Sequence, residues 1–261
     1  MLYEEQRPPT AQSAVVSCYW RFIVDSSDTV PFEHIIMPDG TVSLLYYEGA
    51  SPNDWRVSLT GPGVAARKIV IGAPGRWLGI RFHAGVVGAM FGLKAARLRD
   101  RAETLEPRAV LAECMRVALK DASSLDESME RLSAHVTRWI AASRPLDAAV
   151  LAAATAICEA GGCIAVADLG NPLGLGIRQL RRRFVEEVGL TLKEYARARR
   201  VRRAFVDALG DIKSRWAAIS CAAGYADQAH LAREFKSVFG MSPQAIDAFV
   251  RSIQHQRIVD R

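Results

Sequence analysis

Two stretches of the C-terminal hundred residues place arginine and glutamine where they could read the edges of DNA bases. Sliding this segment against itself by 51 residues aligns Leu180 with Leu231, Arg182 with Arg233, Phe184 with Phe235, Gly189 with Gly240 and Thr191 with Ser242. Leu and Phe four residues apart share one helix face, and the Gly that follows suits the left-handed residue at a helix end. Each copy therefore predicts a helix with a buried L-x-x-x-F stripe. Off that stripe, near the helix starts, stand Arg178, Arg181 and Arg182 in the first copy and Gln228, Ala229, Ala232 and Arg233 in the second. Arginine can bond guanine O6 and N7 in a fork, glutamine can bond adenine, and alanine can touch a thymine methyl. For any single arginine of the basic stretch at 192–205, the alternatives are a phosphate contact, a solvated charge, or an ion pair with Glu186, Glu187 or Glu194.

The elements that must hold these side chains follow from the same comparison. In the first copy Val166-Ala167-Asp168-Leu169 leads to Gly174, and in the second a short apolar run at 218–222 leads to Gly224. A short helix, a Gly turn and a second helix with a free polar face form a helix-turn-helix unit, whose second helix docks in the DNA major groove. Between the copies, residues 192–205 form a basic helix that would join the units rigidly. Two readers about 34 Å apart, one turn of DNA, could enter successive major grooves from a single chain. Charge agrees: residues 161–261 carry 17 Lys and Arg against 10 Asp and Glu, while residues 1–160 carry 17 against 18. A polyanion partner for the C-terminal part alone fits that asymmetry.

Up to about residue 83 the chain has short apolar runs broken by Gly and Pro, as β-strands do. Val16, Cys18, Trp20, Phe22 and Val24 alternate with mostly polar neighbours, and Met37-Pro38-Asp39-Gly40 is a type I turn sequence between two apolar runs, 34–36 and 42–46, read as a hairpin. Further strands are expected near 55–59, 68–71 and 77–82. From Ala84 the spacing turns helical over 84–91, 107–120, 126–142 and 146–160, and after Gly161-Gly162 no strand is expected. The fold class is thus α+β with two domains: an N-terminal β-barrel or sandwich at 1–105, helices at 106–160, and an all-α double helix-turn-helix domain at 161–261.

Other chemistries find less support. The first residues do not read as a secretory leader, the apolar run at 148–157 is too short to span a bilayer, and a cytoplasmic location is expected. Five scattered cysteines lack CxxC pairs, so they read as reduced and mostly buried. No phosphate-binding Gly loop or GxSxG elbow is present, and no cofactor is expected. Candidates for holding a small molecule are Trp20, His34, Tyr46, Trp77 and His83 in the predicted strands, for which ordinary core packing is the plainer reading.

Residues 218–243, AISCAAGYADQAHLAREFKSVFGMSP, closely resemble the signature of the AraC/XylS family of transcription regulators. The match includes Gly224-Tyr225, Asp227 at the helix N-cap, His230-Leu231, Arg233-x-Phe235-Lys236 and Gly240-x-Ser242-Pro243. Residues 174–189 resemble the family's first unit, and the whole resemblance covers about 161–250. It implies a seven-helix, two-unit domain that binds promoter DNA of a bacterial type. The first unit departs from the pattern: Gly170, Asn171 and Pro172 fall where its short helix normally continues, and Gly176 stands where Ser usually caps the recognition helix. Pro172 should shorten that helix. The N-terminal half is similar to the β-rich sensor domains of one branch of the family, through Met37-Pro38-Asp39-Gly40, Leu59-Thr60-Gly61 and residues 79–85. That similarity implies a cupin-like barrel that binds a small-molecule effector, followed by helices suited to forming a homodimer; RNA polymerase is a further candidate partner.

Two rival readings come from other classes. A cupin-type metalloenzyme fused to a DNA-binding module needs several His and a carboxylate on one centre, yet only His34 and His83 lie in the β-rich part and neither sits in an HxH pair. The chain is therefore not expected to be an enzyme or to hold a metal. A nonspecific architectural DNA-binding protein would keep the basic helices without base discrimination, against which Gln228 and Arg233 on one face argue.

Overall fold

The computed structural model describes residues 1–51, 53–170, 174–210, 216–246 and 258–259. Its N-terminal half is built on β1 (Leu2–Gln6), β2 (Val16–Val24), β3 (Phe32–Ile36), β4 (Ser43–Gly49), β5 (Trp55–Thr60), β6 (Arg67–Ile71), β7 (Gly75–Phe82) and β8 (Ala102–Thr104). A large antiparallel sheet runs β8-β5-β4-β7-β2-β1, and β3 pairs with β6 in a separate ribbon. Side chains alternate across the pleat, so each strand feeds two different layers. Tyr19, Leu44, Tyr46, Leu78, Ile80 and Phe82 point to one face, where they form a core with Ala112, Met115, Leu119, Leu132 and Val136. Phe22 and Val24 point to the other face and pack with Ile71, Trp20, Trp77, Phe32 and Ile69 between the sheet and the ribbon. The expected barrel or sandwich is this pair of layers.

The expected hairpin is not formed. Gly40 does take a turn conformation, with φ +70, and Asp39 Oδ1 accepts from the Thr41 N–H and hydroxyl at 2.9 and 2.7 Å. The flanking strands nevertheless belong to different sheets, β3 pairing with β6 and β4 lying between β5 and β7. Both edges of β4 are therefore occupied, and burial of Leu44 and Tyr46 at the sheet centre outweighs local pairing across the turn.

The outer face of the large sheet is covered by α1 (Val87–Phe91), α2 (Val110–Leu119) and α3 (Leu125–Ala142). Ser124 caps α3 by accepting from the Glu127 N–H at 3.0 Å. Then come α4 (Ala148–Glu159), a single 3-10 turn at Val166–Leu169, α5 (Ile177–Val188), α6 (Leu192–Gly210), α7 (Trp216–Ala222) and α8 (Gln228–Phe239). The four-residue turn is short, as expected of the first unit; Asn171 and Pro172 lie outside the described residues. Past residue 161 the described chain is helix and loop apart from β9 (Ile258–Val259), which runs parallel to β1. An edge strand offers free N–H and C=O groups, and β1 is the edge that β9 takes.

Two small cores share α6. Val150, Ala153, Ala154 and Ile157 of α4 pack with Leu180, Phe184 and Val188 of α5 and with Leu192, Tyr195 and Ala196 of α6. Val201, Ala204 and Phe205 of the same helix pack with Ile219, Ala223, Leu231, Phe235 and Phe239. At 1.5 Å per residue, the 19 residues of α6 make a rod about 28 Å long, one end of which enters the first core and the other the second.

Candidate nucleic-acid interface

Each unit carries one helix whose two faces differ sharply. Leu180 and Phe184 of α5, and Leu231 and Phe235 of α8, are all 0% exposed. Burial of each such side chain stabilises by about 1.5–3 kcal/mol, which fixes the roll of both helices. Both end on a left-handed glycine, Gly189 with φ +80 and Gly240 with φ +70. Gly174 and Gly224, φ +63 and +69, make the turns that enter them.

The starts of the two helices differ. Asp227 caps α8 by accepting from the His230 N–H at 2.6 Å. Gly176 caps α5 in an extended conformation without a side-chain bond, and a Cβ placed there meets nothing within 4 Å. A serine would fit, so the glycine costs only about a few tenths of a kcal/mol.

On the faces turned from the cores, Arg178, Arg181, Arg182, Gln228, Ala229 and Arg233 are exposed and Ala232 is half-buried. Arg182 approaches Glu186 at 3.9 Å in a loose, solvated pair of the kind worth little. The sequence-picked residues thus fall into two groups, one on each exposed helix face.

Other basic residues prove to be internal ties. Arg183 donates from Nε and Nη2 to Asp147, which also caps α4 by accepting from the Ala149 and Val150 N–H groups, both at 3.1 Å. Partial burial pushes the Asp147 carboxyl up, and the Arg183 fork and backbone bonds more than offset it, leaving it below the ordinary value. On α6, Arg197 and Arg200 reach Glu234 of α8 at 3.2 and 3.5 Å, Arg203 approaches Asp207 at 3.9 Å, and Arg199 donates to the Asp39 carbonyl. These partners differ from the glutamates that sequence offered; Glu194 is taken by Arg99. Glu234, the bridge between α6 and α8, has no signal in the sequence, because its partners lie on another helix.

Three of the five small-molecule candidates come together. His34 stacks on Phe22 at 4.8 Å between ring centroids, Trp77 lies 5.4 Å from Phe22 and 4.9 Å from Tyr47, and Trp20 lies over Gly79 on the same face. Burial lowers the His34 pKa from the ordinary histidine value, because the charged ring would lose its hydration there. The Trp20 indole N–H is buried and has no hydrogen-bond partner among the described residues. Tyr46 sits on the opposite face of the sheet, 1% exposed, in the core under the helices. His83 lies beyond the end of β7, exposed, with Nε2 3.1 Å from the Ser13 carbonyl. The pleat separates Tyr46 from Tyr47, and only Tyr47 joins the aromatic layer. His34 and His83 are thus apart, and among the described residues no group of three or more His, Cys, Asp or Glu could hold a metal ion. No helix among the described residues is long and apolar enough to cross a membrane.

Comparison with known proteins follows this division. Residues 169–248 match the family described as a helix-turn-helix domain, and residues 4–104 match a domain of unknown function, DUF6597. No curated protein matches the chain. Similar solved structures include an apo variant of ToxT from Vibrio cholerae strain SCE256, 11% identical over 93% of this chain and 99% of that one, with a TM-score of 0.46. The P21 crystal form of ToxT from Vibrio cholerae is 10% identical over 88% and 98%, with a TM-score of 0.48. Wild-type ToxT with an unsaturated fatty acid bound is 13% identical over 88% and 94%, with a TM-score of 0.44. The chain thus carries a helix-turn-helix domain at 169–248, preceded by a DUF6597 domain at 4–104.

Proposed function

We propose that the protein is a sequence-specific DNA-binding regulator of transcription in which α5 and α8 read successive major grooves. Arg178, Arg181 and Arg182 face bases or backbone from the first unit; Gln228, Ala229, Ala232 and Arg233 read bases from the second. The observation that carries this reading is the matched division of both helices, with Leu and Phe fully buried on one side and Arg or Gln free in solvent on the other. The protein acts in the cytoplasm, on promoter DNA, with no catalysis of its own; RNA polymerase and a second copy, through the helices at 106–160, are its further partners. Sharing of the α4 side chains with the first unit supports starting the DNA-binding part near Asp147 rather than at 161.

The test is in vitro selection of DNA by the purified protein, repeated over a salt series. Two enriched blocks about one helical turn apart are expected, with an affinity that falls as salt rises. Equal binding of selected and scrambled DNA at physiological salt would mean a nonspecific architectural protein.

The barrel face formed by Trp20, Phe22, His34, Tyr47 and Trp77 is the proposed effector site. Aromatic walls with an unsatisfied indole N–H suit a small molecule with an apolar body and one hydrogen-bond acceptor. A compound that alters DNA binding should quench tryptophan emission, and Trp20→Phe should weaken both effects. An unchanged response in Trp20→Phe and Trp77→Phe would move the site elsewhere.

A further inference from the structure

The barrel and the DNA-reading half meet along a seam centred on the turn at 38–41. Gly40 is buried there, and a Cβ on it would lie 2.5 Å from Cδ2 of the Tyr195 ring on α6. Tyr195 is 2% exposed, its hydroxyl lies 3.0 Å from Cys158 Sγ of α4, and its ring meets Phe184 of α5 edge-on at 5.5 Å. One residue earlier, the Asp39 carbonyl accepts from Arg199 of α6 at 3.4 Å, while its carboxylate pairs with Arg81 Nε at 2.9 Å on the inner face of the barrel. Residues just before this turn, and the approach to β6, reach the second unit. Ile35 and Met37 pack against its core, and the Ala66 N–H donates to the Val238 carbonyl of α8 at 2.8 Å. Arg99 adds a 2.6 Å pair to Glu194, whose carboxylate also accepts from the Thr191 N–H at the start of α6.

We propose that this turn is a positioning latch for DNA reading: seated on Tyr195, it braces α5 and α8 at one separation and so sets the spacing between the two DNA blocks the protein accepts. The physical reason is contact on both sides of a single long helix. Tyr195 hands the contact to the Phe184 stripe of the first recognition helix, and Met37 with Ala66 hands it to the second. A packed seam has discrete arrangements and does not deform smoothly, so a seated and an unseated turn correspond to different separations. Asp39 carries the connection inward, because the carboxylate that holds Arg81 belongs to the residue whose carbonyl holds Arg199. The inference rests on the DNA-reading assignment above.

Two measurements on the full chain separate the two. Hydrogen exchange of the α6 amides, without DNA, should rise about tenfold in Gly40→Val, because the added side chain collides with Tyr195 and unseats the turn. Binding to DNAs whose two blocks are separated by a spacer varied one base pair at a time should show a spacer preference in the wild type that Gly40→Val flattens by about tenfold. Arg99→Ala, a partly exposed site that leaves the turn intact, should move both readouts the same way by a smaller factor, and it serves if Gly40→Val does not fold. Wild-type exchange and an unchanged spacer preference in the folded variants overturn the latch. Faster exchange in α6 from a wild type that selects no two-block DNA overturns the DNA-reading assignment, and the spacing role with it.

Discussion

Arg183 grips Asp147 with two parallel bonds, Nε to Oδ2 and Nη2 to Oδ1, each 2.6 Å long. Three arginines stand in a row at 181–183, and this contact singles out the third. It ties α5 to the N-terminus of α4, where the Asp147 carboxylate caps the helix, so the third arginine is half-buried while its two neighbours project into solvent.

Arg183→Ala should therefore lower stability, because it removes a charge-assisted tie between two helices, without changing which bases are selected. The sign of its pH dependence is fixed by Asp147. Its folded carboxyl lies below the ordinary value, so the contribution is present above about pH 4 and is lost as pH falls through the lowered value, when the unfolded chain takes up the proton first. Urea unfolding of wild type and variant at pH 7 and pH 3 checks this: the gap between them should close at the lower pH.

Arg233→Ala is expected to weaken specific DNA binding by about 1–3 kcal/mol and to relax preference at one base position. Arg233 is exposed on α8, so folding should be unaffected. An equal loss on random DNA, measured at the same salt, would make it a phosphate contact.

A fragment of residues 145–261 should fold as two helix-turn-helix units, whereas one of 161–261 should keep only the second unit ordered. Deleting α4 removes Val150 and Ile157, both 0% exposed, at a cost of about 3–6 kcal/mol, which is comparable with the whole stability of a small domain. Circular dichroism and proton NMR of the two fragments decide it. A fully folded 161–261 fragment would show that α4 is dispensable.

His34→Gln should flatten the acid side of the stability profile. Burial lowers the folded His34 pKa, so the folded state resists the proton that the unfolded chain accepts, and wild-type stability declines as pH falls below about 6.5. Thermal unfolding between pH 7.5 and 5 should show a smaller decline in the variant.

The helices α5 and α8 were legible in the sequence because their information is local. Leu180 and Phe184, like Leu231 and Phe235, lie four residues apart, one helical turn, and the glycines at 189 and 240 take the left-handed conformation expected of them. The strand at 16–24 was legible for the same reason, since alternation is a two-residue pattern, and those expected near 55–59, 68–71 and 77–82 because short apolar runs between Gly and Pro are local too. Pairing was not. The turn at 38–41 formed, yet its flanking strands went to different sheets, because a strand's neighbours depend on which edges are open elsewhere in the sheet.

Local pattern was enough to give a β-rich half, a helical half, and a duplicated helix with an L-x-x-x-F stripe on one face and polar residues on the other. Tertiary structure alone decided which arginines are free. Arg183 finds its carboxylate 36 residues away and Arg199 its carbonyl 160 residues away, and no spacing rule reaches that far. It likewise sorted the aromatic candidates, sending Trp77 to the inner layer, against Tyr47, and Tyr46 to the core under the helices. Propensity and periodicity act over a helical turn or a pleat, whereas ion pairing and burial depend on what the folded chain brings alongside.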